Sequence, residues 1–444
     1  MPAKIPRLLI SDTRNNIYDL PFLEATGMKG GEHFRLDPSC LVKLPRDSEL
    51  FMLPERMPVG YDGKEERYVC LDRNPFKKTN EPCFAVAAFV APGYTSLFSA
   101  SYKERKSAGL LPLFSYTAVT FYKGGFYAAG LKVDACRRQQ LKGMDVRRVR
   151  KNIQTFRGIF PQNRLVRHLS TCALVYGCPA AKNFFLKRYE APLPASPICN
   201  ATCVGCISYQ SSKSCSVTQS RITFVPSGEE IAEVALFHIK EVRDPVVSFG
   251  QGCEGEPLMV GDVLEKAIRL IRRSTKKGVI NLNTNASKPD VIRRLFDAGL
   301  DSIRVSMNSV REPFYTSYYR PKGYGFKDVV SSITAAKKAG GFISINYLVM
   351  PGFTDSRSEV DAFLRFLGKG SVDMVQWRNL NYDPAAYFRK LKVKVTRADM
   401  TGMDIFVKRV EDEYPGIMKG YFNPSKGRRR REKIRHEANG KRYG

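Results

Sequence analysis

From residue 190 onward the sequence alternates between short apolar runs and longer amphipathic segments. Extended runs are predicted near 193–198, 245–250, 279–284, 302–307, 342–349 and 372–380, and helices near 228–240, 262–277, 289–298, 326–339, 357–368 and 397–413. Asp262 is placed to cap a helix, and Gly299 and Gly340 lie where helices are expected to end. Strands that alternate with helices form a parallel sheet. The predicted fold class is therefore α/β, with the functional site at the carboxyl ends of the strands.

Three cysteines, Cys199, Cys203 and Cys206, lie within eight residues at the start of this pattern. Thiolates at the spacing Cys-x3-Cys-x2-Cys on a short loop can all face one metal centre. Three ligands suit a cubane iron–sulfur cluster with one open iron, because a closed zinc site or a fully ligated cluster needs a fourth protein ligand. A zinc knuckle and three unrelated thiols are the alternative interpretations of the same residues.

The cysteine spacing is the signature of the radical S-adenosylmethionine (radical SAM) superfamily, which the chain resembles from about residue 190 to about residue 395. The resemblance implies a partial (βα)6 TIM-like barrel, which six strand–helix repeats fit better than a closed eightfold barrel. It also implies that Cys199, Cys203 and Cys206 hold a [4Fe-4S] cluster whose open iron chelates SAM. In the family, one electron from the cluster cleaves SAM to methionine and a 5′-deoxyadenosyl radical, which abstracts hydrogen from the substrate.

The resemblance further assigns SAM contacts at the ends of the strands. Gly255 and Glu256 match the second half of the family's Gly-Gly-Glu-Pro stretch, whose carboxylate and backbone hold the SAM amino group. Here Glu254 replaces the first glycine, and Gln251-Gly252-Cys253 look inserted, so Glu254 is the alternative to Glu256. The remaining cofactor-binding residues implied by the resemblance are Asn283, Asn285, Arg304, Ser306, Asn308 and Arg320.

Period-two alternation puts Arg304, Ser306 and Asn308 on one face of their strand. A buried arginine without a partner costs several kcal/mol, so this face is expected to need either a ligand or partners within the protein.

The chain divides into four predicted parts: a β-rich N-terminal domain (1–135), a basic helical connector (136–189), the barrel (190–395), and a C-terminal helix with a basic tail (396–444). In the first part, aromatic and β-branched runs around Lys123-Gly124-Gly125 predict a β-hairpin between Leu113 and Val133. The tail from Lys426 onward has no apolar stripe and is expected to be disordered on its own.

The connector carries ten basic residues and one acid between residues 136 and 168. Val146, Val149, Ile153 and Phe156 recur there at helical spacing, which predicts an amphipathic helix. The basic residues, expected on its opposite face, are Arg137, Arg138, Lys142, Arg147, Arg148, Arg150, Lys151, Arg157, Arg164 and Arg167.

The eleven cysteines are too few for a secreted disulfide scaffold of 444 residues, and their clustering favours metal ligation in a reducing cytoplasm. No signal-like segment follows Met1, and no apolar run reaches the ~20 residues of a membrane span. A cytoplasmic protein without a membrane partner is therefore expected. Candidates for an auxiliary iron–sulfur cluster are Cys136, Cys172, Cys178 and Cys215, with simple packing as the alternative.

The net charge of +29 is spread along the chain and is not confined to the tail. A positive field of this size favours nucleic acid or an acidic protein as partner, and solubility is the alternative explanation. The sequence thus predicts a radical SAM enzyme acting on an unknown substrate, RNA or protein, with an electron donor such as ferredoxin or flavodoxin. A nonenzymatic, redox-responsive iron–sulfur protein that binds nucleic acid, and a structural zinc module, are the competing hypotheses.

Overall fold

The computed structural model describes residues 5–78, 80–136, 140–141, 143–211 and 215–440, with side chains as far as residue 435. Two sheets organise these residues. The first is antiparallel and precedes residue 135, and the second is parallel and begins at residue 190. The predicted class, a partial barrel with a β-rich N-terminal region, is confirmed.

Fourteen strands build the antiparallel sheet. They are β1 (Arg7–Ser11), β2 (Ile17–Glu24), β3 (Thr26–Lys29), β4 (Glu32–Arg35), β5 (Leu41–Lys43), β6 (Glu49–Met52), β7 (Arg56–Asp62), β8 (Arg67–Cys70), β9 (Phe84–Phe89), β10 (Tyr94–Ser96), β11 (Ser99–Ala100), β12 (Tyr102–Glu104), β13 (Thr117–Tyr122) and β14 (Gly125–Lys132). β13 and β14 form the predicted hairpin. Lys123 and Gly124 both have positive φ, at 47° and 76°, as a two-residue hairpin turn of the primed type requires.

Three helices connect the two sheets: α1 (Val146–Ile159), α2 (Arg164–Leu174) and α3 (Pro179–Phe185). α1 buries Val149, Ile153 and Phe156, as predicted, and exposes its basic face. Val146 is 45% exposed, so its assignment to the apolar stripe was wrong. It occupies the first helical position, before the apolar stripe of α1 contacts the elements that it packs against. Arg137, Arg138 and Lys142 lie outside the described residues.

The parallel sheet has seven strands in chain order, and each strand pairs with the next. The strands are β15 (Glu190–Pro192), β16 (Val246–Phe249), β17 (Val279–Thr284), β18 (Ser302–Met307), β19 (Phe342–Val349), β20 (Met374–Asn379) and β21 (Met418–Gly420). The helices are α4 (Gly228–Glu241), α5 (Gly261–Ser274), α6 (Pro289–Ala298), α7 (Glu312–Tyr319), α8 (Phe326–Lys338), α9 (Arg357–Leu367), α10 (Pro384–Leu391), α11 (Met403–Glu413) and α12 (Lys426–Gly440).

The bounds and caps observed around this sheet differ in several places from those predicted from the sequence. The first strand lies before the predicted 193–198, because the backbone of residues 195 and 196 donates to a carboxylate. Asp262 lies in the first turn of α5, whose N-cap is Val260, so it does not cap the helix. Gly299 ends α6 in the left-handed conformation, as expected. The sheet also continues beyond residue 395, since β21 pairs with β20.

The basic tail is a helix, contrary to the expectation of disorder. Arg428 of α12 forms an ion pair with the buried Asp134 at 2.8 Å, and the Arg429 guanidinium lies 4.1 Å from the centre of the Phe342 ring. The Ser425 hydroxyl accepts from the Arg428 amide at the start of the helix. These contacts stabilise a segment that has no apolar stripe of its own.

The N-terminal sheet packs on the carboxyl edge of the barrel through buried polar contacts. The Arg56 guanidinium lies 2.9 Å from the carboxylate of Asp383, and the Lys29 ammonium lies 3.4 Å from that of Asp355. Asn379, the last residue of β20, accepts from the Ser96 amide at 2.7 Å. Among the described residues, no helix is long and apolar enough to cross a membrane.

Candidate active site

The cysteine loop, residues 199–206, is held on one side by the loop that follows β16. The Gly255 amide donates to the Ser196 carbonyl at 2.6 Å, and the Glu256 amide donates to the Ile198 carbonyl at 2.8 Å. A Cβ atom at residue 255 would lie 1.9 Å from the Ile198 carbonyl oxygen. Only glycine permits this approach.

The other side of the cysteine loop pairs with the end of α7. The Thr202 amide donates to the Tyr319 carbonyl at 3.1 Å, and the Val204 amide donates to the Tyr318 carbonyl at 2.9 Å. At Gly205 a Cβ atom would lie 2.8 Å from the Tyr318 hydroxyl. The backbone of the loop is therefore hydrogen-bonded on both sides, and these bonds do not involve its thiols.

The three thiols of the loop lie close enough to affect one another electrostatically. Burial raises the pKa of Cys199 to about 11, and the charge of Glu256 adds to it. Burial also raises the pKa of Cys203, followed by the charges of Cys206 and Cys199. Within the described ranges, however, these three sulfurs do not all lie within 4.8 Å of one another.

Glu254 braces the start of the cysteine loop. Its carboxylate accepts from the amides of Ala195 at 2.8 Å, Ser196 at 3.1 Å and Gln251 at 2.6 Å. Burial raises the pKa of Glu254 to about 7, against the effect of these three bonds. Every one of these donors is backbone, which indicates a structural role for this carboxylate.

Glu256 joins the loop to the end of β17. Its carboxylate accepts from the Thr284 hydroxyl at 2.5 Å, the Asn285 amide at 2.8 Å and the Leu258 amide at 3.2 Å. Burial raises the pKa of Glu256 to about 7. Among the described residues, no cation lies within ion-pair distance of this carboxylate.

The inner face of the barrel is polar, as the alternation predicts. The side chains on it include Ser248, Asn281, Asn283, Ser302, Arg304, Ser306, Ser344, Asn346, Gln376 and Arg378. Many are linked: Asn281 donates to Asn283, and Asn346 donates to Ser306. A polar interior of this kind suits a polar ligand.

Arg304 has no ion pair among the described residues, and its buried Nε has no hydrogen-bond partner. Burial lowers the pKa of Arg304 to about 9, and the charge of Arg378 on β20 lowers it further. Arg378 in turn stacks on the Tyr421 ring, 4.5 Å from its centre. Two neighbouring guanidinium groups on this face form a cationic region with room for an anion.

Two other predicted SAM contacts, Asn283 and Asn285, already form hydrogen bonds with other groups of the protein. The Asn283 amide donates to the carbonyls of Phe249 and Gly250, and its oxygen accepts from Asn281 and Asn423. The Asn285 side chain donates to the Asn200 oxygen at 2.8 Å. Both asparagines thus hold the edge of the site together through bonds within the protein.

Two further predicted contacts lie away from the inner face. Asn308 follows β18 and donates to the Tyr387 hydroxyl and the Phe314 carbonyl, so it packs under α7 and α10. Arg320 ends α7 in the left-handed conformation and lines a cavity of about 160 Å³ with Cys203.

Sequence reasoning missed two residues next to the cysteine loop and inside the barrel. The Arg221 guanidinium donates to the Cys206 sulfur at 3.7 Å. Asn423, only 1% exposed, bridges Glu190, Ser248 and Gln376 inside the barrel. No local sequence signal marks either one, because both reach the site from segments that form no predicted strand or helix.

Residues 193–367 match the family model described as the radical SAM superfamily. The chain therefore contains a radical SAM domain, which covers less than half of its length and includes the cysteine loop.

The chain also has distant similarities to solved structures. They include native anSMEcpe with bound AdoMet (17% identity, TM-score 0.38, 52% of this chain and 63% of that chain). The FeFe-hydrogenase maturase HydG from Carboxydothermus hydrogenoformans is also similar (17%, TM-score 0.34, 55% and 66%). A third is Streptococcus suis SuiB bound to the precursor peptide SuiA (14%, TM-score 0.35, 57% and 50%). The chain thus spans less than two thirds of the length of each, and these similarities are too distant to indicate a function.

Of the four predicted auxiliary-cluster cysteines, Cys172 and Cys178 lie close together, since the Cys178 amide donates to the Cys172 carbonyl at 2.9 Å. Burial raises the pKa of Cys178, and the charge of Cys172 adds to it. The Cys215 sulfur lies 3.9 Å from the Leu111 carbonyl, and Cys136 lies near Tyr189. Cys172 also forms a group with His168 and Cys253. The i, i+4 spacing of His168 and Cys172 on a helix was the available signal for this group.

Proposed function

We propose that this protein is a radical SAM enzyme in which Cys199, Cys203 and Cys206 hold a [4Fe-4S] cluster. The observation that carries the proposal is the seating of the three-cysteine loop on Gly255 and Glu256, within the residues that match the family. Three protein ligands suit a cluster with an open iron. When bound, the cluster supplies the electron that cleaves SAM.

The charges of the site support the binding of a zwitterion such as the methionine end of SAM. Among the residues described, Glu256 is a buried carboxylate with no ion pair, and Arg304 has no ion pair either, although the charge of Glu190 opposes the fall in its pKa. Glu256 lies in the loop after β16 and binds the end of β17 through Thr284 and Asn285, and Arg304 lies on the next strand, β18. An ammonium would pair with Glu256 and a carboxylate with Arg304.

In this proposal the chain's own residues orient the cofactor and exclude side reactions. Glu254 holds the cysteine loop in register through three backbone donors. Glu256 accepts the SAM ammonium, and Asn283 and Asn285 keep the strand ends fixed around it. Ser306 on the inner face is assigned to the ribose side and Arg320 to the rim of the site, whereas Asn308 packs under α7 and α10 and is assigned no contact with SAM.

The substrate belongs to the same proposal. The charge of +29 and the exposed basic face of α1 favour an anionic macromolecule, RNA or an acidic protein. A cytoplasmic electron donor such as ferredoxin or flavodoxin would reduce the cluster. The proposed substrate class fails if binding of RNA and of acidic proteins is absent or independent of salt.

The proposal is tested by anaerobic reconstitution with iron and sulfide, reduction with dithionite in the presence of SAM, and assay of 5′-deoxyadenosine. Wild type is compared with Cys203→Ser and with Cys83→Ser, which replaces a fully buried cysteine outside the site. We expect 5′-deoxyadenosine from wild type and Cys83→Ser and a loss of at least a hundredfold in Cys203→Ser.

Equal production by Cys203→Ser would contradict the proposal. So would a wild type that carries its full iron and never cleaves SAM, even with cell extract as a source of substrate. That second result would favour the nonenzymatic iron–sulfur protein that binds nucleic acid.

A further inference from the structure

His168, Cys172 and Cys253 bring three metal-ligating atoms together away from the cysteine loop. One ligand atom from each lies within 4.8 Å of the other two, and the Cys172 sulfur lies 3.4 Å from His168 Nε2. Across the described ranges, no other set of three His, Cys, Asp or Glu side chains converges in this way. The group lies at the junction of the connector and the barrel.

The local structure presents all three side chains to one point. His168 and Cys172 are one turn apart on α2, so they share a face of that helix. Cys253 comes from the loop after β16, and its carbonyl accepts from the Ile222 amide at 2.7 Å. Cys172 is fully buried and Cys253 is 2% exposed, whereas His168 is half-buried.

We propose that His168, Cys172 and Cys253 bind one zinc ion. An imidazole nitrogen and two thiolates are the donors that zinc prefers. Around a tetrahedral zinc ion, a sulfur at ~2.3 Å and a nitrogen at ~2.0 Å from the metal lie roughly 3.5 Å apart. The separation between Cys172 and His168 is of this size.

The three ligand atoms also lie close enough together for a single ion, since all of them are within 4.8 Å of one another.

The zinc ion would fasten the connector to the loop that holds the cysteine loop. Cys253 directly precedes Glu254 and Gly255, which make the backbone contacts to Ser196. A metal bridge from α2 to Cys253 would limit the movement of this loop. This role would account for Gln251-Gly252-Cys253, the residues that look inserted relative to the family stretch.

The test is the metal content of the full chain, purified anaerobically with zinc sulfate in the growth medium and with its cluster reconstituted. Zinc and iron are measured by inductively coupled plasma mass spectrometry in wild type, Cys172→Ser, His168→Gln and Cys83→Ser. We expect one zinc per chain in wild type and in Cys83→Ser. Cys172→Ser and His168→Gln should lose at least 80% of the zinc and keep the iron.

A second readout uses cobalt in place of zinc. Wild type loaded with Co²⁺ should show thiolate-to-cobalt absorption, and Cys253→Ser should lose most of it. His168 is half-buried, so His168→Gln should fold even if a buried cysteine variant does not.

The proposal is overturned if wild type holds no zinc, if His168→Gln retains it, or if iron falls in place of zinc. A Cys172–Cys253 disulfide in anaerobically purified protein would overturn it as well. The radical SAM proposal predicts that iron content depends on Cys203, and the zinc proposal predicts that zinc content depends on His168. Failure of either proposal therefore leaves the other intact.

Discussion

Individual residues in this protein are fixed most tightly where backbone approaches backbone. Gly255 lets the loop after β16 donate two hydrogen bonds to the segment that leads into Cys199. Glu254 and Glu256 place two carboxylates in this crowded region, where burial raises both pKa values to about 7. The chemistry of the thiols therefore depends on residues that never contact a metal.

Gly255→Ala tests the close approach. The added Cβ would lie 1.9 Å from the Ile198 carbonyl oxygen and 2.4 Å from its carbon, so the loop must move and break its two bonds. We expect a loss of about 2 kcal/mol in the free energy of unfolding and a large fall in bound iron.

Gly158→Ala is the matched control, because nothing lies within 4 Å of a Cβ at that helical position. It should stabilise the protein by about 0.5–1 kcal/mol. Urea unfolding and iron analysis measure both variants. Full iron in Gly255→Ala would contradict this account of the loop.

At the scale of elements, the barrel depends on the segment that follows it. β21 extends the parallel sheet, Asn423 enters the interior, and α12 lies against the Asp134 carboxylate through Arg428. Asp134 also accepts from the amides of Tyr421 and Phe422. One buried carboxylate at the end of the N-terminal part thus joins the residues that follow β21 to the final helix.

Arg428→Ala tests this junction. It leaves the Asp134 carboxylate, 1% exposed, without its cation, so we expect the free energy of unfolding to fall by about 3 kcal/mol. Arg430→Ala, at an exposed position of the same helix, should change it by no more than about 0.5 kcal/mol. Urea unfolding measures the free energy of unfolding of both variants. Equal changes in the two would show that α12 contributes nothing to stability through Arg428.

Sequence patterns predicted the regular part of the barrel because its strands and helices are coded by local periodicity. β17 and β18 were predicted to the residue, whereas the site predicted from the cysteine spacing stays a prediction. The patterns missed α7, half of whose eight residues are aromatic, and β21, which is three residues long.

Asn423, Arg221 and Cys253 could not be assigned from the sequence for a different reason. Each meets its partners only after distant segments have packed, so nothing near it in the chain reveals its neighbours.

For the whole molecule, buried charges join the N-terminal sheet to the barrel. Arg56 contacts Asp383 at the start of α10, and Lys29 contacts Asp355 before α9. Both carboxylates are fully buried. The position of the N-terminal sheet over the carboxyl edge of the barrel therefore depends on ion pairs as well as on apolar packing.

Asp355→Asn tests this interface through pH. Burial raises the pKa of Asp355 above its ordinary 3.8, against the opposing charge of Lys29. The folded state thus keeps this proton to a higher pH than the unfolded state. The contribution of Asp355 to stability is greatest below pH 3.8 and falls as the pH rises through the folded pKa.

The free energy of unfolding measured from pH 3.5 upward should therefore decline more steeply, or rise less, in wild type than in Asp355→Asn. The slope difference isolates Asp355 from the other carboxylates. Identical slopes would contradict the burial of an ionisable group at this interface.

The most direct test of the central claim is electron paramagnetic resonance of the reduced, reconstituted protein with and without SAM. We predict the signal of a reduced [4Fe-4S] cluster whose spectrum changes when SAM is added, because one iron has no protein ligand. Cys203→Ala should give no such signal. A cluster signal in wild type that is identical with and without SAM would contradict the account, since it would mean that no iron is open to SAM.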